Sequence, residues 1–125
     1  MKIKEITENG ILFDNGASLK SYHDQDCCED VYADWENMQV LTKLGMNSVN
    51  SNIFDFSEYL LIDPTTIKLE QGVGFSLIDK NGLKLFVSCY NIQEGYYSDN
   101  LKLIYIDKNG IKVELDIKEC CKEIC

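Results

Sequence analysis

Four Asn-Gly pairs, Asn9-Gly10, Asn15-Gly16, Asn81-Gly82 and Asn109-Gly110, constrain this chain more than any other feature of its sequence. Asn and Gly both tolerate the positive φ of a type I′ turn, whose twist matches that of two paired strands. Each pair separates short β-prone runs, so each predicts a hairpin. Lys2 to Ile6, Gly10 to Asp14 and Ala17 to Tyr22 read as an opening meander. Phe75 to Asp79 and Leu83 to Tyr90 form a second hairpin, and Leu101 to Asp107 and Ile111 to Ile117 a third. In the last strand Ile111, Val113, Leu115 and Ile117 alternate with Lys or acid, which predicts one wet face.

One stretch follows a helical period instead. From about Glu29 to Leu44, apolar Val31, Trp35, Met38, Leu41 and Leu44 recur every three or four residues. Acids crowd the first turn, where they favour the helix dipole, and Lys43-Leu44-Gly45 supplies a basic last turn and a stop. Trp35 therefore reads as core. Gly45 to Asn52 reads as a polar loop, Ile53 to Ile62 as an extended segment closed by Asp63-Pro64, and Lys118 to Cys125 as a short terminal helix. No internal repeat and no linker is evident. The expectation is one α+β domain over residues 1–125, mainly antiparallel hairpins with one principal helix packed on the sheet.

A chain of 125 residues at 45% hydrophobic and 26% charged can close one core. The longest apolar run is about Tyr59 to Ile62, too short for a membrane span. The first residues carry no apolar signal region, which predicts a cytoplasmic location. The 12 basic residues are all Lys and face 21 acids, giving a net charge of −9 and a pI near 4.5. A nucleic-acid binder or an anionic-membrane binder needs a basic face, and phosphate chemistry favours Arg forks or a Gly-rich cradle. None is present. The charge is also lopsided. From Ser21 to Ile67, Lys43 stands alone against nine acids, a net −8, while the rest of the chain is close to neutral. Asp24, Asp26, Glu29, Asp30, Asp34 and Glu36 are the candidate partner-binding residues of that block, and the partner that suits them is basic.

The six cysteines are Cys27, Cys28, Cys89, Cys120, Cys121 and Cys125. Adjacent pairs are awkward for disulfides, and with no secretion signal they read as reduced thiols. His23, the single histidine, lies within six residues of Cys27 and Cys28. One imidazole and two thiols supply most of a structural zinc site, completed by Cys89 as first candidate or by a thiol of the tail. Two other readings of the cluster stand beside it. One is a buried, inert thiol with His23 capping a turn. The other is a small thiol enzyme or redox switch using Cys27 or Cys28 with His23.

His23-Asp24-Gln25-Asp26-Cys27-Cys28-Glu29-Asp30-Val31 resembles the H-x-Q-D-C-C-E-x-V signature of a small domain family of unknown function found in phages and mobile elements. Gly95-Tyr96-Tyr97-Ser98 resembles a second segment of that family, although Glu94 stands where Asn is usual. The resemblance implies a phage origin, the cytoplasm of a bacterial host and a β-rich fold with one helix after the signature. It brings no established reaction. By analogy with small acidic anti-CRISPR inhibitors, the chain is expected to be a non-enzymatic monomer or small oligomer. It would bind a basic nucleic-acid-handling host protein, an RNA-guided CRISPR nuclease first among them, and block its DNA binding. A structural or assembly role in a phage particle is the third reading.

Overall fold

Three of the four Asn-Gly pairs close the same tight turn. The computed structural model describes residues 1–22, 29–36, 54–58, 66–70, 73–93, 101–117 and 122–124, with backbone alone at 29–31, 91–93 and 122–124. In each of the three turns a strand-end carbonyl accepts the glycine N–H: Phe13 from Gly16 at 3.2 Å, Asp79 from Gly82 at 3.1 Å and Asp107 from Gly110 at 3.0 Å. The same residues donate their own N–H to Ala17, Leu83 and Ile111. The loop is therefore three residues long, a type I turn ending in a left-handed glycine, rather than the two-residue type I′ loop that the sequence predicts. Gly82 and Gly110, at φ of 82° and 84°, occupy that left-handed position. The fourth pair differs. Gly10 is inside a strand, and a Cβ there would stand 2.0 Å from the Leu19 carbonyl oxygen, so only glycine permits the close approach.

The turns join ten strands: β1 (Ile3–Thr7), β2 (Gly10–Phe13), β3 (Ser18–Tyr22), β4 (Glu29–Ala33), β5 (Ile67–Glu70), β6 (Gly74–Ile78), β7 (Lys84–Gln93), β8 (Lys102–Ile106), β9 (Lys112–Asp116) and β10 (Lys122–Ile124). One five-stranded sheet runs β1-β2-β3-β8-β9, antiparallel throughout. In the other, β7 pairs antiparallel with β6 and β4 and parallel with β10, and β6 carries β5. The Ser88 carbonyl accepts from Asp34 while the next N–H, of Cys89, donates to Val73. Successive groups of one peptide unit point to opposite edges of a strand, so β4 and β6 lie on opposite sides of β7.

Period-2 alternation decides which residues enter the core. From the first sheet come Ile11, Phe13, Leu19, Leu103 and Tyr105, and from the second Phe75, Leu77, Leu85, Val87 and Cys89, all at most 2% exposed. They form one cluster. Each large side chain so buried contributes about 1.5–3 kcal/mol. A bulge between Ile3 and Glu5 shifts the register of β1, which turns both Ile3 and Ile6 inward although they are three residues apart.

The principal helix is not there as the sequence predicts it, and the α+β expectation gives way to a nearly all-antiparallel β fold. Among the described residues every bounded element is a strand, and only Trp35 and Glu36 have helical backbone. Glu29 to Ala33, expected as the first helical turn, pair with Gln93 to Cys89 of β7. The open edge of β7 supplies a full ladder of hydrogen bonds to this segment, and tertiary pairing overrides a helical period carried by few residues. Met38, Leu41 and Leu44 lie outside the described residues. The expected terminal helix is also corrected, since Lys122 to Ile124 form a strand against Tyr90 to Ile92. Of the expected extended segment, residues 54–57 are described and have no regular structure. A repeat the sequence reading missed is visible too: Ile78-Asp79-Lys80-Asn81-Gly82-Leu83 and Ile106-Asp107-Lys108-Asn109-Gly110-Ile111 build equivalent turns.

Candidate functional site

Most of the residues singled out from the sequence fall between β3 and β7. His23, Asp24, Asp26, Cys27 and Cys28 lie outside the described residues, as do Tyr96, Tyr97 and the tail cysteines Cys120, Cys121 and Cys125. Glu29 and Asp30 open β4 opposite Gln93 and Ile92. Asp34 is half-buried, and Glu36 is exposed. Trp35 is core, as expected: 1% exposed, with its indole N–H donating to Ser21 Oγ at 2.8 Å and its ring edge-on to Phe75 at 5.8 Å.

Cys89 is 0% exposed on the inward row of β7 with Leu85 and Val87, and its Sγ lies 4.0 Å from the Val87 carbonyl oxygen. It is registered with Ala33. Four residues of strand, about 13 Å, separate that position from Glu29, the first described residue after Cys28. Strand β10 ends at Ile124 against Ile92, close to where Glu29 meets Gln93. Among the described residues no group of His, Cys, Asp or Glu is gathered closely enough to hold a metal ion.

A different site is assembled at the end of the first sheet, where the β8–β9 turn meets residues 54–58. These residues form a strut between the sheets. The Met1 ammonium donates to Asp55 Oδ1 at 3.0 Å and to the Phe56 carbonyl at 2.7 Å, and Phe56 N–H returns a 2.7 Å bond to the Met1 carbonyl. On the other side, Lys80 N–H donates to the Asp55 carbonyl, and Asp55 N–H donates to Asp79 Oδ2 at 3.2 Å. Phe56 packs edge-on to Phe13 and stacks on Phe54. The hydrogen bond from the ammonium holds the Asp55 carboxyl below its ordinary range against the opposing effect of burial, with the ammonium's charge, Lys80 and Lys2 adding to the lowering.

Glu58 ends the strut beside a pocket of about 300 Å³ that Tyr105, Asp107, Lys108, Ile111 and Val113 also line. The Tyr105 hydroxyl donates to the Glu58 carbonyl at 3.0 Å. Burial, with Asp107 and Glu58 close by, pushes its phenol up to about 12. Lys108 Nζ stands 3.3 Å from Glu58 Oε1, and both side chains are about half exposed, at 49% and 50%. Asp107 Oδ1 accepts from Asn109 and Ile111 N–H, each at 2.8 Å, which locks the turn. Asn15 also lines the pocket. Its Oδ1 accepts from Ala17 N–H at 3.0 Å, while its Nδ2 is shut off from solvent with no partner among the described residues. Nothing in the sequence reading pointed to this pocket. The repeated Asp-Lys-Asn-Gly string was the available signal, because it fixes where Asp107 and Lys108 project.

The class that these features define is a two-sheet antiparallel β protein with a small mixed-polarity pocket at one end. No family model, curated protein or solved structure matches the chain. Among the described residues no helix is long and apolar enough to cross a membrane.

Proposed function

We propose that this chain is a non-catalytic binding protein that presents its acidic block to a basic, nucleic-acid-handling protein in the cytoplasm. The observation that carries the reading is the lopsided charge: nine acids against Lys43 from Ser21 to Ile67. Elsewhere charge is largely compensated on the sheets, as in Lys112 Nζ to Glu114 Oε1 at 2.9 Å and Lys68 Nζ to Glu70 Oε1 at 3.7 Å. Within the block Asp55 pairs with the Met1 ammonium and Glu58 with Lys108, and the remaining surplus of acid steers and orients a basic partner more than it adds affinity. A phage origin follows the resemblance of the His23–Val31 segment, and an RNA-guided nuclease is the first partner to test. A structural zinc on His23, Cys27 and Cys28 belongs to the same reading. Cys89 is the first candidate for its fourth ligand, with a thiol of the tail as the alternative.

The test is a binding titration of the purified chain against such a nuclease across a salt series. Exposed charges are screened within about 10 Å at 0.1 M salt, so affinity should fall steeply as salt rises. An affinity that ignores salt overturns the electrostatic docking. Elemental analysis of gently purified protein should find about one zinc per chain, and finding none removes the metal.

A further inference from the structure

We propose that the pocket between the β8–β9 turn and Glu58 receives an arginine side chain of the partner. At about 300 Å³ it stands at the lower end of ligand pockets, roughly 300–1,000 Å³, the size for one long side chain rather than a cofactor. Its apolar wall is Ile111, 61% exposed, and the half-buried Val113, against which an aliphatic stem can lie. At its rim two carboxylates, Glu58 and Asp107, face a single cation, Lys108. The second oxygens of both carboxylates accept no hydrogen bond from any described residue, whereas the first oxygens hold Lys108 and the turn.

That arrangement selects a guanidinium. Anions are repelled by the surplus carboxylate. An ammonium is a compact, strongly hydrated charge, and Lys108 already supplies one. A guanidinium is less hydrated, tolerates the apolar wall and can fork across two carboxylates. The exposed Lys108–Glu58 pair is weak, so it yields to such a fork at small cost. Burial does most to raise the Tyr105 phenol, and the nearby Asp107 and Glu58 carboxylates add to it. Assigning this arginine to a partner rests on the docking function proposed above; the pocket's preference for a guanidinium does not.

The experiment titrates N-acetyl-arginine amide into the isotope-labelled full chain and follows backbone amide resonances. Saturable shifts confined to residues 107–113 are expected, with no comparable response to N-acetyl-norleucine amide. Glu58→Gln should weaken the arginine response about two- to fivefold. Lys108→Ala, which removes the competing cation, should strengthen it. No saturable shift, an equal response to norleucine, or opposite behaviour of the two variants overturns the proposal. No partner is present in this measurement, so its failure leaves the docking reading standing. Loss of nuclease binding, in turn, leaves the pocket's preference intact.

Discussion

Asp79 and Asp107 occupy the same place in the same turn, yet their surroundings assign them different work. Both accept two backbone N–H groups on one oxygen: Asn81 at 2.9 Å and Leu83 at 2.8 Å for Asp79, Asn109 and Ile111 at 2.8 Å for Asp107. Asp79 is only 6% exposed, and its second oxygen also accepts from Asp55 N–H, so it ties the turn to the strut. Bonds to a charged acceptor are worth about 1.5–3 kcal/mol each, and a buried donor left unpaired costs about 1–3 kcal/mol. Asp79→Ala should therefore destabilise by about 1 kcal/mol or more beyond Asp107→Ala, read as the difference in urea midpoints. Equal losses would mean that the strut contact carries no weight. At this scale the sequence was readable in part. Asn-Gly announced a turn, but the preceding aspartate, which helps make the loop three residues long, carries its meaning only once its oxygen is seen under two amides.

Among elements, residues 54–58 and β4 show where local pattern stops being informative. The strut has no period, because its backbone bonds go to Met1 on one side and to Lys80 on the other, far away in sequence. Val31, the first residue of the expected helical pattern, falls in strand β4, where the edge of β7 decides the conformation, while Trp35 and Glu36 just after it have helical backbone. The hairpins were legible because each is closed by its own turn and patterned by its own alternation. The strut makes a pH prediction. Asp55 is held below its ordinary carboxylate range in the folded chain, first by the hydrogen bond from the Met1 ammonium. A depressed folded pKa contributes stability that is present above the unfolded value, about 3.9, and lost as pH falls through the folded one. Asp55→Asn should therefore lower the melting temperature at neutral pH, and the gap from the parent chain should close on acidification below about pH 4. Acetylating the Met1 amino group should have the same signature. A gap that persists unchanged into acid would disprove the ammonium–carboxylate account.

For the whole molecule the decisive fact is interleaving. The first sheet takes β1, β2, β3, β8 and β9, and the second takes β4, β5, β6, β7 and β10. The chain therefore leaves the first sheet after Tyr22 and re-enters it at Lys102, which pairs with Tyr22 itself. Neither sheet can be completed from a contiguous piece of chain. This also explains why the pocket escaped the sequence: Glu58 and Lys108, 3.3 Å apart, are separated by 50 residues. Non-local pairing of this kind makes folding slow, in the range of milliseconds to seconds, and couples the sheets through one core. Trp35, the single tryptophan, reports on that coupling, since its indole N–H is bonded to Ser21 of β3 while its ring lies against Phe75 of β6. Its fluorescence senses separation of the sheets, whereas far-ultraviolet circular dichroism senses the loss of strands. For an interleaved fold the two must change together, so urea unfolding followed by both probes should give one midpoint and one slope. A fluorescence transition well below the dichroism transition would mean that the sheets part while their strands persist, and that each sheet is a folding unit in its own right.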